Sequence, residues 1–274
     1  MERSKMNRIN ETFKRLKAQK KKAFIVYVTA GDPDINATKK IVRSLEHAGV
    51  DIVELGIPFS DPLADGPTIQ RAIYRSLKAG CSAKKVLKMV KEIRKEVTIP
   101  LVFMTYYNIV FNYGVEKFIA DSKRAGADGI IVPDLPLEES KEMTQAADKQ
   151  DFCVIQLTAP TTPPERFRKI AAASRGFLYH VSLTGVTGAR KDLSKKLGSD
   201  VKKLKKLTKK PLCVGFGIST PQQARDVAGA ADGVIVGSAV IKVIEKNLKN
   251  RKVLADRVGA FARSIARAVH GDRS

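Results

Sequence analysis

Eight short apolar runs, each followed by a stretch with helical spacing, organise the chain. The runs are AFIVYVTA (23–30), DIVELG (51–56), PLVFMTY (100–106), DGIIVPD (128–134), FCVIQLTA (152–159), FLYHVSL (177–183), PLCVGFG (211–217) and DGVIVGS (232–238). Each is nearly continuous in apolar residues, as parallel strands covered on both faces require. Between them apolar residues recur at the period of a helix. Val86, Met89, Val90, Ile93 and Val97 fall on one stripe, with Lys84, Lys85, Lys88, Lys91 and Lys95 on the opposite face. Eight repeats of strand then helix predict a closed (β/α)8 barrel in preference to an open, doubly wound sheet. A further amphipathic segment around Ile9, Phe13 and Leu16 predicts an N-terminal helix that plugs the base of the barrel.

One joint recurs three times. HAGVDIVELG (47–56), RAGADGIIVPD (124–134) and AGAADGVIVGS (228–238) share a helix end, a glycine suited to a left-handed helix cap, an aspartate and an apolar strand. Aligned on Asp51, Asp128 and Asp232, they place Glu54 at the position held by Ile131 and Ile235 in the other two copies. A carboxylate therefore stands where the pattern asks for an inward-facing isoleucine. Two intervals between strands are longer than the rest, after the second and sixth strands, and hold GIPFSDPLADGPTIQ and SLTGVTGARKDLSKKLGSD. Both follow the C-terminal ends of strands, the end at which barrels of this architecture carry their sites.

Composition narrows the class. With 274 residues, 43% hydrophobic and 28% charged, the chain suits one soluble barrel domain spanning 1–274. It has no apolar run of bilayer length, and the charged start MERSKMNRINETFKRLKAQKKK lacks the apolar stretch of a secretory signal, so a cytoplasmic location is expected. Cys81, Cys153 and Cys213 lie far apart without CxxC spacing, and His47, His180 and His270 have no companion at ligand spacing, so neither a disulfide framework nor a metal is expected. The net charge of +22 raises the question of nucleic acid. The lysines alternate with apolar residues at helical spacing and no aromatic-interleaved basic motif occurs, which favours solvated helix faces over a nucleic-acid surface.

Two readings of Glu54 remain open from spacing: a general acid or base whose pKa is raised by desolvation, or a carboxylate in a salt bridge at the barrel top. Asp65, before Gly66 and Pro67, suits a turn or helix cap as well as a site residue. Glycines close the last three strands, in GVTG (185–188), GFG (215–217) and Gly237-Ser238, and the last runs into a helical stretch. Converging backbone N–H groups and a helix N-terminus make a phosphate site. Tyr106, Asn108 and Tyr179 lie at strand ends, where they could touch substrate or serve as ordinary buried groups. His180 and Ser182 share a strand face without an aspartate to complete a triad and are read as structural.

The blocks FIVYVTAGDP (24–33), VELGIPFSDPLADGPTIQRA (53–72), MTYYNIVFNYG (104–114), VPDLPLEES (132–140), SLTGVTGAR (182–190), VGFGISTPQQ (214–223) and GSAVIK (237–242) occur in an order that resembles the alpha subunits of tryptophan synthases. The resemblance implies retro-aldol cleavage of indole-3-glycerol phosphate to indole and glyceraldehyde 3-phosphate. It also implies an αββα assembly with a beta subunit that carries the pyridoxal phosphate, while the alpha chain itself needs no cofactor. By motif, Glu54 becomes the acid-base group, Asp65 the group at the indole N–H, and Tyr179 a neighbour of both. Tyr27, Met104, Ile131, Thr187, Phe216 and Ile235 are then expected around the indole, together with Tyr106. Gly188, Gly217, Gly237 and Ser238 are expected at the phosphate, and Asp61, Pro62 and Asn108 at the partner, with SLTGVTGAR as a closing lid. Val26 departs from a common proline of the family, and the basic charge is unusual for it. A stand-alone indole-releasing lyase, a phosphate barrel with another aldol substrate, and a basic binding module on a barrel scaffold are the alternatives.

Overall fold

Alternation within each strand explains the architecture. In the computed structural model, which describes residues 7–181, 190–215 and 217–272 and only the backbone of 190–197, one set of alternate strand residues packs into an inner cluster. Ala23, Ile25, Ile52, Val102, Ile131, Cys153, Ile155, Phe177, Cys213 and Ile235 form it, with Met104, Leu157 and Tyr179 packed against them. The other set, including Phe24, Val26, Val53, Leu55, Phe103, Ile130, Val154, Leu178, Val214 and Val234, packs under the surrounding helices. Two concentric apolar layers separated by the strands are what a barrel with an outer helical ring needs.

The strands are β1 (Ala23–Thr29), β2 (Ile52–Gly56), β3 (Leu101–Met104), β4 (Gly129–Ile131), β5 (Cys153–Val154), β6 (Gln156–Thr158), β7 (Leu178–Val181), β8 (Leu212–Gly215) and β9 (Gly233–Val236). All pairs are parallel, in the order β5-β4-β3-β2-β1-β9-β8-β7-β6. The two ends of that order, β5 and β6, are consecutive pieces of one run interrupted only at Ile155. One piece pairs with β4 and the other with β7, so the sheet closes on itself with eight strand positions, as the sequence pattern predicts. The predicted stripe of α4 (Ala83–Ile93) is buried at Val86, Met89, Val90 and Ile93, and its lysines face solvent.

The N-terminal plug is also present. Helix α1 (Arg8–Ala18) puts Ile9 and Leu16 into the inner cluster and stacks Phe13 on Phe177 at 5.7 Å. Asn7 caps it through the N–H of Ile9 and donates to the carbonyls of Asp128 and Asp151 at the base of the barrel.

The threefold sequence repeat is a structural device of the same base. Asp51, Asp128 and Asp232 each donate their N–H to the carbonyl of one residue on the neighbouring strand, Phe24, Leu101 and Leu212, and accept that residue's own N–H with the carboxylate. Basic side chains then reach each one: Arg15 and the ring nitrogen of His270 at Asp51, Arg8 and Arg94 at Asp128, Lys205 and Lys22 at Asp232. The glycines differ from the expectation in one copy. Gly49 and Gly126 take positive φ of 89° and 102°, whereas Gly229, one residue farther from its aspartate, stays right-handed at φ −63°. In that copy Ala230 and Ala231 make the connection without a left-handed residue.

Candidate active site

Strand β2 faces the barrel interior with Ile52, Glu54 and Gly56, because successive residues point to opposite faces and Val53 and Leu55 pack outward. Glu54 pairs in register with Tyr27 on β1 and Val102 on β3 and is fully buried. Neither of its carboxyl oxygens has a hydrogen-bond partner among the described residues, and no described cation pairs with it. Among the described residues nothing supports the salt-bridge reading. Desolvation pushes its pKa up to about 8, so this carboxyl holds its proton at neutral pH.

Beyond Gly56 the chain leaves the sheet as an irregular loop and re-enters regular structure at α3 (Pro67–Lys78). Pro67 suits the first helical turn, and the residue at the cap position is Gly66. Asp65 is consequently not the cap. Its carboxylate accepts the hydroxyl of Tyr106 at 2.8 Å, and its backbone carbonyl accepts Gln70 Nε2 at 2.9 Å. Burial raises its pKa, and the Tyr106 bond opposes part of that rise. Asp65 and Tyr106 share a small cavity with Tyr27, Ile57, Met104 and Pro133, so the loop returns its carboxylate to the mouth of the barrel that holds Glu54.

Tyr27 and Tyr179 frame this mouth by one repeated arrangement. Tyr27 pairs with Glu54, and its hydroxyl lies over Gly56 two residues on. Tyr179 pairs with Cys213, and its hydroxyl lies over Gly215 two residues on. A Cβ at Gly56 would come to 2.2 Å from the Tyr27 oxygen, and one at Gly215 to 2.6 Å from the Tyr179 oxygen, so only glycine fits at either place. The phenol of Tyr179 is pushed well above its ordinary pKa by burial and then by the charges of Glu54 and Asp65. That of Tyr27 rises through burial and then through Asp65. Glu54 and Asp65 thus both lie within electrostatic reach of Tyr27 and of Tyr179.

Of the predicted indole pocket, Ile131 and Ile235 are in the inner cluster and Met104 packs against it. Thr187 and Phe216 lie outside the described residues, as does Gly188 of the predicted phosphate site. Gly217 has φ +74° beside open space. Gly237 is the cap of α11 (Ser238–Lys246), whose first N–H groups lie at the mouth next to Tyr27. On the rim, Asp61 and Asn108 are exposed. Sequence reasoning missed two neighbours there, Leu63 and Phe111, which are 83% and 64% exposed. No periodic stripe includes Leu63, and the short α5 (Tyr107–Tyr113) has too few turns to mark Phe111 as outward.

A larger cavity of about 350 Å³ opens between the loops after β4 and β6, lined by residues including Pro133, Leu135, Leu157, Thr162, Arg166 and Val181. It contains neither carboxylate, and Arg166 is held by Glu138 at 2.7 and 3.0 Å. Size alone would misplace the site; the perturbed groups locate it. His180, read as structural, is buried and bonded to Thr158. Among the described residues no cluster of His, Cys, Asp and Glu could hold a metal ion, and no helix is long and apolar enough to cross a membrane.

Comparison with known proteins agrees with this geometry. Residues 13–270 match the family model described as "Tryptophan synthase alpha chain". The tryptophan synthase alpha chain of Geotalea uraniireducens (strain Rf4) is 48% identical over 264 residues, 96% of this chain and 98% of its own length. That of Caldanaerobacter subterraneus subsp. tengcongensis is 49% identical over 260 residues, 95% and 98% of the two lengths. The crystal structure of tryptophan synthase subunit alpha from Legionella pneumophila str. Paris superposes with a TM-score of 0.91 at 40% identity, over 97% of this chain and 100% of that one. This chain belongs to the tryptophan synthase alpha chain family.

Proposed function

We propose that this chain, acting as a single catalytic barrel, cleaves indole-3-glycerol phosphate by a retro-aldol reaction to indole and glyceraldehyde 3-phosphate and passes the indole to a beta subunit that makes L-tryptophan. The observation that carries the proposal is a buried carboxyl, Glu54, held protonated in a barrel mouth that also presents Asp65 and Tyr179. Such a group can both give and take a proton near neutral pH, which the reaction needs.

Glu54 gives its proton to C3 of the indole ring. Aromaticity of the pyrrole ring is lost, and positive charge develops on the ring nitrogen. Asp65, a carboxylate at the edge of the same mouth, stabilises that N–H as the charge appears. Glu54, now ionised, takes the proton of the glycerol hydroxyl adjacent to C3. The bond from C3 to the glycerol carbon breaks, its electron pair restores the neutral indole, and the aldehyde of glyceraldehyde 3-phosphate forms. Glu54 ends the cycle protonated. Tyr179 borders both carboxylates, and Tyr27, Met104, Ile131 and Ile235, with Thr187 and Phe216, enclose the ring. Backbone N–H groups at Gly188, Gly217, Gly237 and Ser238 hold the phosphate, aided by the N-terminus of α11.

The exposed apolar side chains Leu63 and Phe111, beside Asp61, Pro62 and Asn108, support the rim as the face for the beta subunit. The pyridoxal phosphate of the assembly belongs to that partner, and no step above involves it. The test is indole release from indole-3-glycerol phosphate by the chain alone and with an added beta subunit. The proposal expects slow release alone and faster cleavage with the partner. A folded chain that releases no indole in either case overturns it, and a rate unaffected by the partner would leave a stand-alone lyase.

A further inference from the structure

We infer that Tyr106 is a positioning residue for Asp65, fixing the direction and charge of that carboxylate through its hydroxyl without touching the substrate. The inference rests on the reading of Asp65 as the group at the indole N–H. Asp65 sits on a loop outside the sheet, between Gly56 and Pro67, with no regular hydrogen-bond ladder to hold it. Tyr106 reaches that loop from the end of β3 and grips it at three places. Its ring packs on Phe59 with centroids 5.3 Å apart. Its oxygen accepts the N–H of Ala64 at 2.9 Å and donates to Asp65 Oδ2 at 2.8 Å. Adjacent residues of the loop, one through backbone and one through side chain, therefore meet at a single buried hydroxyl.

The donor inventory makes the assignment specific. A phenol has one O–H, and here it is spent on Asp65, so it is not free to bond a substrate while the loop holds this conformation. The Tyr106 bond is also the only hydrogen bond to the Asp65 carboxylate among the described residues, and no described cation pairs with it. Among the described residues, the titratable groups within reach of Asp65 are Tyr106 from just beyond β3, Tyr27 from β1 and Tyr179 from β7, none of which supplies positive charge. Among the described residues one bond thus favours the ionised carboxylate against its burial, and it leaves Oδ1 for the indole N–H.

The experiment compares wild type, Tyr106→Phe, Asp65→Asn and the double variant in the indole-release assay, with thermal unfolding to establish folding. Loss of one hydrogen bond to a charged group predicts a fall in kcat of about tenfold or more in Tyr106→Phe, with KM changed less than about twofold. The acid limb of its kcat profile moves to higher pH, because the bond that favours ionised Asp65 is gone. On the Asp65→Asn background the Tyr106→Phe change removes less than about twofold more. Replacing Tyr106 with 3-fluorotyrosine keeps the shape and strengthens the donor, and shifts the acid limb to lower pH. This keeps the test decisive if the Phe variant does not fold. A raised KM with an unmoved acid limb, or losses that multiply in the double variant, overturns the positioning role. If Asp65→Asn itself retains full activity, the reading of Asp65 fails instead, so the two failures are distinguishable.

Discussion

A carboxyl group buried in a barrel interior without a donor is tolerated only when it holds a proton, and that requirement makes Glu54 both a reagent and a liability. Its folded pKa of about 8 lies above its ordinary value of 4.5, so the folded chain holds a proton that the unfolded chain has lost between those pH values. The sign follows: the Glu54 contribution to stability falls as pH rises from 4.5 to 8 and is level above, by at most on the order of 5 kcal/mol. Glu54→Gln should abolish this dependence. Urea unfolding of the two proteins from pH 5 to 9 is expected to show wild type losing stability relative to the Gln variant as pH rises; a constant difference would mean that Glu54 is already ionised at pH 5. The same substitution is expected to lower indole release by more than about a hundredfold, and Asp65→Asn to do nearly the same, as measured by steady-state assay. A Glu54→Gln variant with more than about a tenth of wild-type activity contradicts its role as proton carrier. The inward phase of Glu54 is legible in the sequence because the repeat aligns it with Ile131 and Ile235, and strand alternation is strictly local. The choice between acid and ion pair is not, since it depends on which side chains from the seven other strand positions approach. Asp65 is less legible still: its bond to Tyr106 joins residues 41 apart, and only the family resemblance points to its role.

At the scale of elements, the repeated aspartates show how the barrel base is fastened. Each replaces a missing ladder partner at a strand start with a reciprocal pair of hydrogen bonds, then gathers cations. Their side chains are not equally covered: Asp128 is 2% exposed and Asp232 28%. Removing the buried Asp128 carboxylate strands the N–H of Leu101 and leaves two guanidinium groups without it, whereas water can replace much of the partly exposed Asp232. Asp128→Ala is therefore expected to destabilise by about 3 kcal/mol and Asp232→Ala by about 1 kcal/mol, as read from urea unfolding. Both should keep wild-type kcat in the folded chain, because the base lies at the opposite end of the barrel from Glu54. Equal costs for the two substitutions would contradict this ranking. The sequence shows that these positions repeat, but it cannot show what they bond. Arg8, Arg94 and Arg15 reach them from helices elsewhere in the chain, and a surplus of basic residues offers too many candidate partners. Strands and the α4 stripe are legible for the opposite reason, since a period of two or 3.6 is written in adjacent residues. The split of one strand at Ile155 and the right-handed Gly229 escape the pattern because each reflects closure of the sheet or loop length.

Over the whole molecule, the charge of +22 is organised in a way that the total conceals. The carboxyl groups of the mouth include Glu54, which is neutral, and Asp32, which is fully buried and accepts Nε and Nη2 of Arg75 at 2.8 Å each. On the outside, α4 and the turn after it present Lys84, Lys85, Lys88, Lys91 and Lys95 to solvent, with Glu92 as a partner for Lys39 of a neighbouring helix. The result is a barrel whose long-range field is positive even though its reacting groups are acidic. Helix faces at barrel distance cannot touch a phosphorylated substrate, but at low salt their field reaches beyond a screening length of about 10 Å and raises the rate of encounter with an anion. Encounter governs kcat/KM and leaves kcat alone. For the isolated chain, kcat/KM for indole-3-glycerol phosphate is expected to fall by about three- to tenfold between 20 mM and 500 mM salt, with kcat steady. Replacing these five lysines with glutamine should flatten that dependence without changing the Glu54 pH limb. A salt-independent kcat/KM would mean that chemistry, and not encounter, limits both parameters, and that the basic helix faces serve solubility alone.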